Sequence, residues 1–269
     1  MKKIIGLLLI LNFLIGCGGK DKDDYKFRFY YINGMSTDYD EALEQRKALY
    51  RAIVDYKIKH PEEYVFDGFK SKYLKLSYNY NEEPYIELVE NFFQKSIDTF
   101  DFFLILGGDM PMPPWFKDTY NQFADVLMND SSKIAKIFSD DIKRHVSRYE
   151  KDLKEGHKIV LIGFSQGNFF ANLEFDNLNS DDVGVVSIAT PADRVGDRRS
   201  PYTTFYEDMV INTVRFLNPT TLALPPNMHA EHCSGLCHSL IDNYLNPKNK
   251  SRNKIVKDIA NVAKRIDDD

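Results

Sequence analysis

The run KIVLIGFSQGNFFANLEF, residues 158–175, constrains the fold more than any other part of this chain. It begins with a block of apolar, mostly β-branched residues, passes through a serine between two glycines, and ends in residues that can form a helix. An apolar block without alternation is typical of a strand buried on both faces, as the central strands of parallel sheets are. We therefore expect a strand over 158–164, a sharp turn, and a helix from about 167 to 178.

The rest of the chain repeats this alternation of strand-like and helix-like segments. Further strands are expected at 26–32, 72–80, 183–190 and 202–206. Helices are expected at 42–56, 85–100, within 116–153, near 238–246 and at 252–266. This alternation predicts the α/β class, with a mainly parallel sheet flanked by helices on both faces. A length of 269 residues, 43 % of them hydrophobic, fits one domain with a sizeable core.

The first residues, MKKIIGLLLILNFLIGC, form a separate segment. Their apolar stretch of twelve residues is shorter than the roughly 20 that a membrane span needs, and it fits the apolar part of a signal peptide. The ending LIGC resembles the lipobox of bacterial lipoproteins. That resemblance implies a signal peptide at 1–16, a lipidated Cys17 with a tether to residue 25, and a domain over 26–269. An ordinary secretory signal with a chance cysteine is the alternative.

The implied mature protein is exported and lipid-anchored to the cell envelope, in the outer membrane if the cell has one. Removing residues 1–16 changes the formal charge from −5 to −7, since two of the 35 basic residues are lost. An acidic chain without a basic patch interleaved with aromatic residues gives no reason to expect a nucleic-acid partner. The expected partners are the membrane, through the lipid on Cys17, and a small-molecule substrate.

Gly163, Ser165 and Gly167 form the pattern G-x-S-x-G. The pattern alone arises by chance in roughly one chain in ten of this length, at average glycine and serine usage. Its position between an apolar strand and a helix is more informative, because a sharp turn there exposes the serine and flanking glycines make room for it. We therefore interpret Ser165 as a nucleophile, with a small residue in a tight turn as the alternative.

With this context, most of residues 26–246 resemble the α/β-hydrolase superfamily of serine hydrolases, including its lipases and esterases. In that fold the catalytic acid and histidine follow the serine in this order. The resemblance implies His238 as the base, since it opens HSLIDNYL, a segment similar to the family's histidine followed by a helix. His229 and His232 lie in the preceding loop and lack that helix.

Two aspartates compete for the role of the acid. Asp208, in YTTFYEDMVI, resembles the family's acid-bearing turn after a strand. Asp193 is the alternative acid, because some related lipases place it one strand earlier, and Glu207 is a third candidate. The neighbours of Asp193 are charged, which is also typical of a surface turn.

The resemblance further implies an oxyanion hole made of backbone N–H groups. One is that of Gln166, directly after the serine, and the other belongs to Met35 or Gly34 in the loop after strand 26–32. Many members have a histidine where this loop has Asn33. An ordinary β-turn is the alternative reading of the loop.

Cys233 and Cys237 lie directly before His238. Cysteines four residues apart can be bridged in a helix-like turn, and an exported chain permits a disulfide. The same segment with its three histidines is the alternative zinc site, although the close C-x₂-C pair of most zinc sites is missing. We expect the disulfide, and we expect neither a metal nor an organic cofactor.

These features predict a serine hydrolase that cleaves carboxylic esters, lipid or other acyl esters included. A thioesterase, an amidase or an acyltransferase would use the same residues. The apolar segment 100–115 is either a mobile lid or a buried helix end followed by a loop. The alternative from another class is a non-catalytic surface lipoprotein with a degenerate hydrolase fold that binds a partner or a glycan.

Overall fold

The computed structural model describes residues 25–34, 37–79, 131–217 and 224–268. Several sequence predictions lie outside these residues: the signal peptide at 1–16, the lipidated Cys17 and its tether, Met35, the helix at 85–100 and the segment 100–115. Among the described helices, none combines the length and the apolar composition that crossing a bilayer requires.

The described strands form one parallel sheet of five, in the order β2-β1-β3-β4-β5. Their bounds are β1 Phe27–Ile32, β2 Leu74–Ser77, β3 Lys158–Phe164, β4 Val183–Ile188 and β5 Tyr202–Thr203. The α/β class and the parallel sheet predicted from the sequence are thereby confirmed. The strand predicted at 158–164 coincides with β3.

Helices cover both faces of the sheet. They are α1 Tyr39–Lys59, α2 Ser131–Lys154, α3 Gly167–Leu178, α4 Met209–Leu217 and α5 Ser251–Asp268. Shorter elements are the 3₁₀ turns Tyr64–Phe66 and Ser71–Tyr73 and one π turn, Leu240–Tyr244. Helices α1 and α5 share a core with one face, and α2 and α3 share a second core with the other.

The two cores explain why the strands lack polar alternation. Successive side chains of a strand point to opposite faces. In β1, Phe29 and Tyr31 enter the core under α1 and α5, whereas Tyr30 and Ile32 enter the core under α2 and α3. All four side chains are fully buried. A polar residue at any of these positions would face a helix instead of water.

The strand predicted at 202–206 is longer than the observed β5. The next two backbone N–H groups donate to side chains. That of Thr204 donates to Asn227 Oδ1 at 3.0 Å, and that of Phe205 donates to Tyr244 Oη at 3.0 Å. Because these N–H groups bind side chains instead of β4, strand β5 ends after only two residues. The turn that follows carries Asp208.

Three other boundaries also differ from the predicted ones. The strand expected at 183–190 ends at Ile188, because Ala189 has a φ of 49°, which is incompatible with an extended ladder. The strand expected at 72–80 begins with a 3₁₀ turn, and only its central residues are extended. The helix expected near 238–246 is a single π turn.

The parallel register brings three loops to the same edge of the sheet. Ile32 pairs with Gly163, and Phe164 pairs with Ile188, so β1, β3 and β4 end at the same level. In open parallel sheets, ligands bind outside the carboxyl ends of the strands. The loops after β1, β3 and β5 meet at that edge of this chain.

Candidate active site

Ser165 lies in a strained two-residue turn between β3 and α3. Its φ is 52°, in the left-handed region that residues with a side chain rarely adopt. The turn is held by hydrogen bonds on both sides: Ser165 N–H donates to the Ile188 carbonyl at 3.0 Å, and Asn168 Nδ2 donates to the Ser165 carbonyl at 2.8 Å. A second bond, from Asn168 Nδ2 to the Ile188 carbonyl at 2.9 Å, ties the turn to β4.

The two glycines of the pattern are required by contacts with named atoms. A Cβ on Gly163 would lie 2.6 Å from Asn168 Oδ1, and a Cβ on Gly167 would lie 2.4 Å from the Ile32 carbonyl oxygen and 2.7 Å from that of Asn33. The neighbours of Gly167 are backbone atoms at the end of β1, and they cannot rotate away. Helix α3 can therefore start directly behind β1 only from a glycine.

Replacing Gly167 by alanine is expected to lower the free energy of unfolding by about 3 kcal/mol, the upper range for overpacking a core. The matched control is Gly68→Ala, where the added Cβ meets nothing within 4 Å but the φ is 73°. That variant should lose only about 1 kcal/mol, from backbone strain alone. Urea unfolding followed by circular dichroism compares the two, and equal losses would show that the contact with β1 is not tight.

His238 connects the serine to a buried carboxylate. Its Nε2 lies 2.9 Å from Ser165 Oγ, and its Nδ1 lies 2.8 Å from Asp208 Oδ2 and 3.0 Å from Oδ1. Since a carboxylate accepts hydrogen bonds, Nδ1 carries a proton, and in the neutral form of the imidazole Nε2 can accept one from the serine hydroxyl. The ring of Phe164 lies 5.2 Å from the imidazole and forms one wall beside it.

Asp208 is fully buried, and its carboxylate is oriented by further donors. Oδ1 accepts the N–H of Ile211, in the first turn of α4, at 3.0 Å. Oδ2 accepts the hydroxyl of Tyr244 at 2.7 Å. Together with His238, these bonds compensate for burying a charged group.

The other candidate residues for the acid and the base are not brought to this site. Asp193 is exposed in the loop after β4. Glu207 binds His229 Nδ1 at 2.8 Å and the N–H of Ala230 at 2.9 Å. Partial burial opposes ionisation of Glu207, but these hydrogen bonds outweigh it and lower its pKa. His232 uses its backbone N–H and carbonyl to bind the side chain of Asn249.

The loop after β1 lies directly against the serine. A Cβ on Gly34 would be 3.0 Å from Ser165 Cβ, tighter than ordinary van der Waals contact, so glycine lets the loop approach the serine without crowding it. The loop is fixed by a buried pair of amides: Asn33 Oδ1 accepts the Asn79 N–H at 2.8 Å, and Asn79 Nδ2 donates to the Asn33 carbonyl at 2.9 Å. Within the described residues, the N–H groups of Gly34 and Gln166 have no acceptor.

Cys233 and Cys237 are joined by a disulfide immediately before His238. Cys237 is fully buried, and its φ of 59° turns the chain into the site. The same loop is held by Asn243, whose amide both accepts from the N–H of Ser234 and donates to its carbonyl. In the parts of the chain that the structure describes, no group of three or more His, Cys, Asp or Glu side chains could hold a metal ion.

Three residues of the site were not identified from the sequence. Asn168 and Tyr244 lie in segments that were interpreted only as helices, and Asn79 lies near the end of the strand predicted at 72–80. An asparagine in the first turn of the helix after the serine is a usable signal, because asparagine binds local backbone groups readily. No local signal identifies Tyr244, whose partner Asp208 is 36 residues away in the chain. Comparison with family models, with curated proteins and with solved structures finds no match for this chain.

Proposed function

We propose that this chain is a serine hydrolase of the α/β-hydrolase type that cleaves carboxylic esters through an acyl-enzyme intermediate. The observation that carries the proposal is the continuous series of hydrogen bonds from Ser165 Oγ to His238 and from His238 to Asp208. A structural serine in a turn has no need of a histidine whose Nε2 lies within hydrogen-bond distance of its hydroxyl. A binding protein has no need of a buried carboxylate behind that histidine.

In the proposed mechanism, His238 Nε2 removes the hydroxyl proton as Ser165 Oγ attacks the ester carbonyl carbon. Asp208 stays ionised and stabilises the resulting imidazolium. The C–O bond to the alcohol then breaks, and the alcohol leaves with the proton from His238. Water attacks the acyl-enzyme by the same route, its proton passes to His238, and the carboxylic acid is released as Ser165 Oγ regains a proton.

The carbonyl oxygen becomes an oxyanion during each attack. The N–H groups of Gln166 and Gly34 are the proposed donors, since both belong to residues that adjoin Ser165 and both are without an acceptor in the described structure. Loss of one such donor typically lowers kcat by about 10²–10³-fold. The lipobox-like ending at Cys17 supports the accompanying proposal that the enzyme is exported and anchored by lipid.

Labelling of the purified full-length protein with a fluorophosphonate tests the proposal without knowledge of the natural substrate. The reagent is attacked only by an activated serine, so mass spectrometry should find one adduct per chain, on Ser165. His238→Gln should lower the rate of labelling by about 10³-fold or more, because the base is lost.

The matched control is Ser239→Ala. Ser239 adjoins His238, and its hydroxyl binds the carboxylate of Asp242 at 2.9 Å, so it is a serine beside an acid without an intervening histidine. This variant should label as fast as the unmodified protein. A folded protein that remains unlabelled would contradict the hydrolase proposal and favour a binding role for the fold.

A further inference from the structure

Tyr244 continues the hydrogen-bond series beyond the carboxylate. Its hydroxyl donates to Asp208 Oδ2 at 2.7 Å and accepts the N–H of Phe205 at 3.0 Å. Because that N–H can only donate, the phenol proton is directed at the carboxylate. The hydrogen bonds therefore converge on Asp208 from two sides: Phe205 N–H donates to Tyr244 and Tyr244 to the carboxylate, while on the other side Ser165 donates to His238 and His238 to the carboxylate.

The phenol is held rigidly in this position. Tyr244 is fully buried, and its ring stacks on that of Phe205 with a centroid distance of 4.1 Å and an interplanar angle of 12°. It ends the π turn that follows His238, so the base and the phenol approach Asp208 from one short segment.

The phenol stays protonated throughout the range in which a hydrolase would work. Burial raises the pKa of Tyr244 well above its ordinary value, and the charge of Asp208 raises it further. Tyr244 is thus a permanent donor to the carboxylate. A hydrogen bond to a charged group contributes more than one between neutral groups. Removing the bond from Tyr244 to Asp208 should therefore have a measurable effect on His238, the next partner of Asp208.

We propose that Tyr244 is a positioning residue, which fixes the Asp208 carboxylate and sets the basicity of His238. The proposal rests on the function proposed above for Ser165, His238 and Asp208. By sharing the negative charge of Asp208, the phenol weakens the attraction between this carboxylate and the imidazolium. Without the phenol, Asp208 would attract the imidazolium more strongly.

Among the described residues, the polar partners of His238 are Ser165 and Asp208, and Phe164 is its aromatic neighbour. Glu207 adjoins Asp208, but its carboxylate is occupied by His229 and the N–H of Ala230. A change in the pKa of His238 on altering Tyr244 can therefore be assigned to Asp208.

The test measures the pKa of His238 by NMR titration of the imidazole Cε1–H signals in the full-length protein, with His238→Gln identifying the signal among the six histidines. In Tyr244→Phe the pKa of His238 should rise by about 0.5–1 pH unit. The ascending limb of kcat/KM against pH should move up with it. On the plateau kcat should fall about 10-fold with KM unchanged, because the phenol is positioned to contact the carboxylate and not the substrate.

Tyr149→Phe is the matched structural control. Tyr149 is also fully buried, and its hydroxyl also binds a buried carboxylate, Glu174, at 3.0 Å, but it lies in the core on the other face of the sheet. This variant should lose comparable stability and leave the pKa of His238 unchanged. An equal pKa in Tyr244→Phe and the unmodified protein, or an equal shift in Tyr149→Phe, would overturn the proposal.

A second variant covers the case in which Tyr244→Phe does not fold. Site-specific replacement, Tyr244→3-fluorotyrosine, keeps the ring and the hydroxyl but makes the phenol a stronger donor. The pKa of His238 should then fall, the opposite sign to that expected for phenylalanine, and a rise or no change would count against the proposal. The titration needs no substrate, so it tests the role of Tyr244 independently of catalysis. Failure of labelling and hydrolysis would refute the proposed function, and failure of the expected pKa changes would refute the role of Tyr244.

Discussion

Replacing Ser165 by glycine or by alanine should lower the hydrolysis of an activated ester by about 10⁴-fold or more, because both changes remove the attacking Oγ. The two variants should nevertheless differ in stability. Ser165 has a φ of 52°, where a Cβ is crowded against the backbone, and alanine keeps that Cβ whereas glycine does not. Ser165→Gly should therefore unfold with a free energy about 1 kcal/mol higher than Ser165→Ala.

Ser187 provides the control for this comparison. It is buried in β4, and its φ is not among the positive ones in the described residues. At such a position glycine is the less stable choice by roughly 0.5–1 kcal/mol, since it loses more conformational freedom on folding. The sign of the difference between glycine and alanine should thus reverse between Ser187 and Ser165.

Urea unfolding of the four variants gives the free energies, and hydrolysis of p-nitrophenyl butyrate gives the activities. An alanine variant at 165 as stable as the glycine variant would mean that the turn stores no strain. A less stable alanine variant would instead show that the turn at Ser165 lowers the stability of the protein while it presents the serine hydroxyl. Such a cost is common at functional sites, where selection acts on activity above a threshold of stability.

The central strands could be predicted from the sequence because a strand that is buried on both faces consists almost entirely of apolar residues. Residues 159–164 are a continuous apolar run, and β3, Lys158–Phe164, adds only the lysine before it. The edge of the sheet was predicted less well, since the extent of β5 depends on which groups receive the N–H atoms of Thr204 and Phe205. Their acceptors come from Asn227 and Tyr244, and no local pattern indicates partners so distant in the chain.

The residues of the site also divide into those that a local pattern indicates and those whose partners are distant in the chain. Ser165 stands in a local pattern, and His238 and Asp208 follow it in the order that the resemblance implies. Asn33 and Asn79 exchange hydrogen bonds across 46 positions, and only the parallel pairing of β1 with β2 brings them together. Long-range polar pairs of this kind complete the site, and they emerge only from the fold.

Asp208→Asn should lower kcat for an activated ester by about 10⁴-fold, the second large effect expected of this site. In the unmodified protein both carboxylate oxygens accept hydrogen bonds, Oδ1 from Ile211 and Oδ2 from Tyr244, while each also faces His238 Nδ1. An amide can supply only one acceptor, so its NH₂ group must face a donor. The imidazole is then favoured in the tautomer with its proton on Nε2, which cannot accept the proton of Ser165.

Asp193→Asn is the matched control, because it makes the same chemical change at the alternative acid. Its side chain is exposed in the loop after β4, so kcat should stay within about twofold of the unmodified value. Stopped-flow measurement of the acylation burst, on variants shown to be folded by circular dichroism, separates the two. A large loss at Asp193 with activity retained at Asp208 would assign the acid to the loop after β4. The fully buried carboxylate would then be structural, held for its bonds to Ile211 and Tyr244 alone.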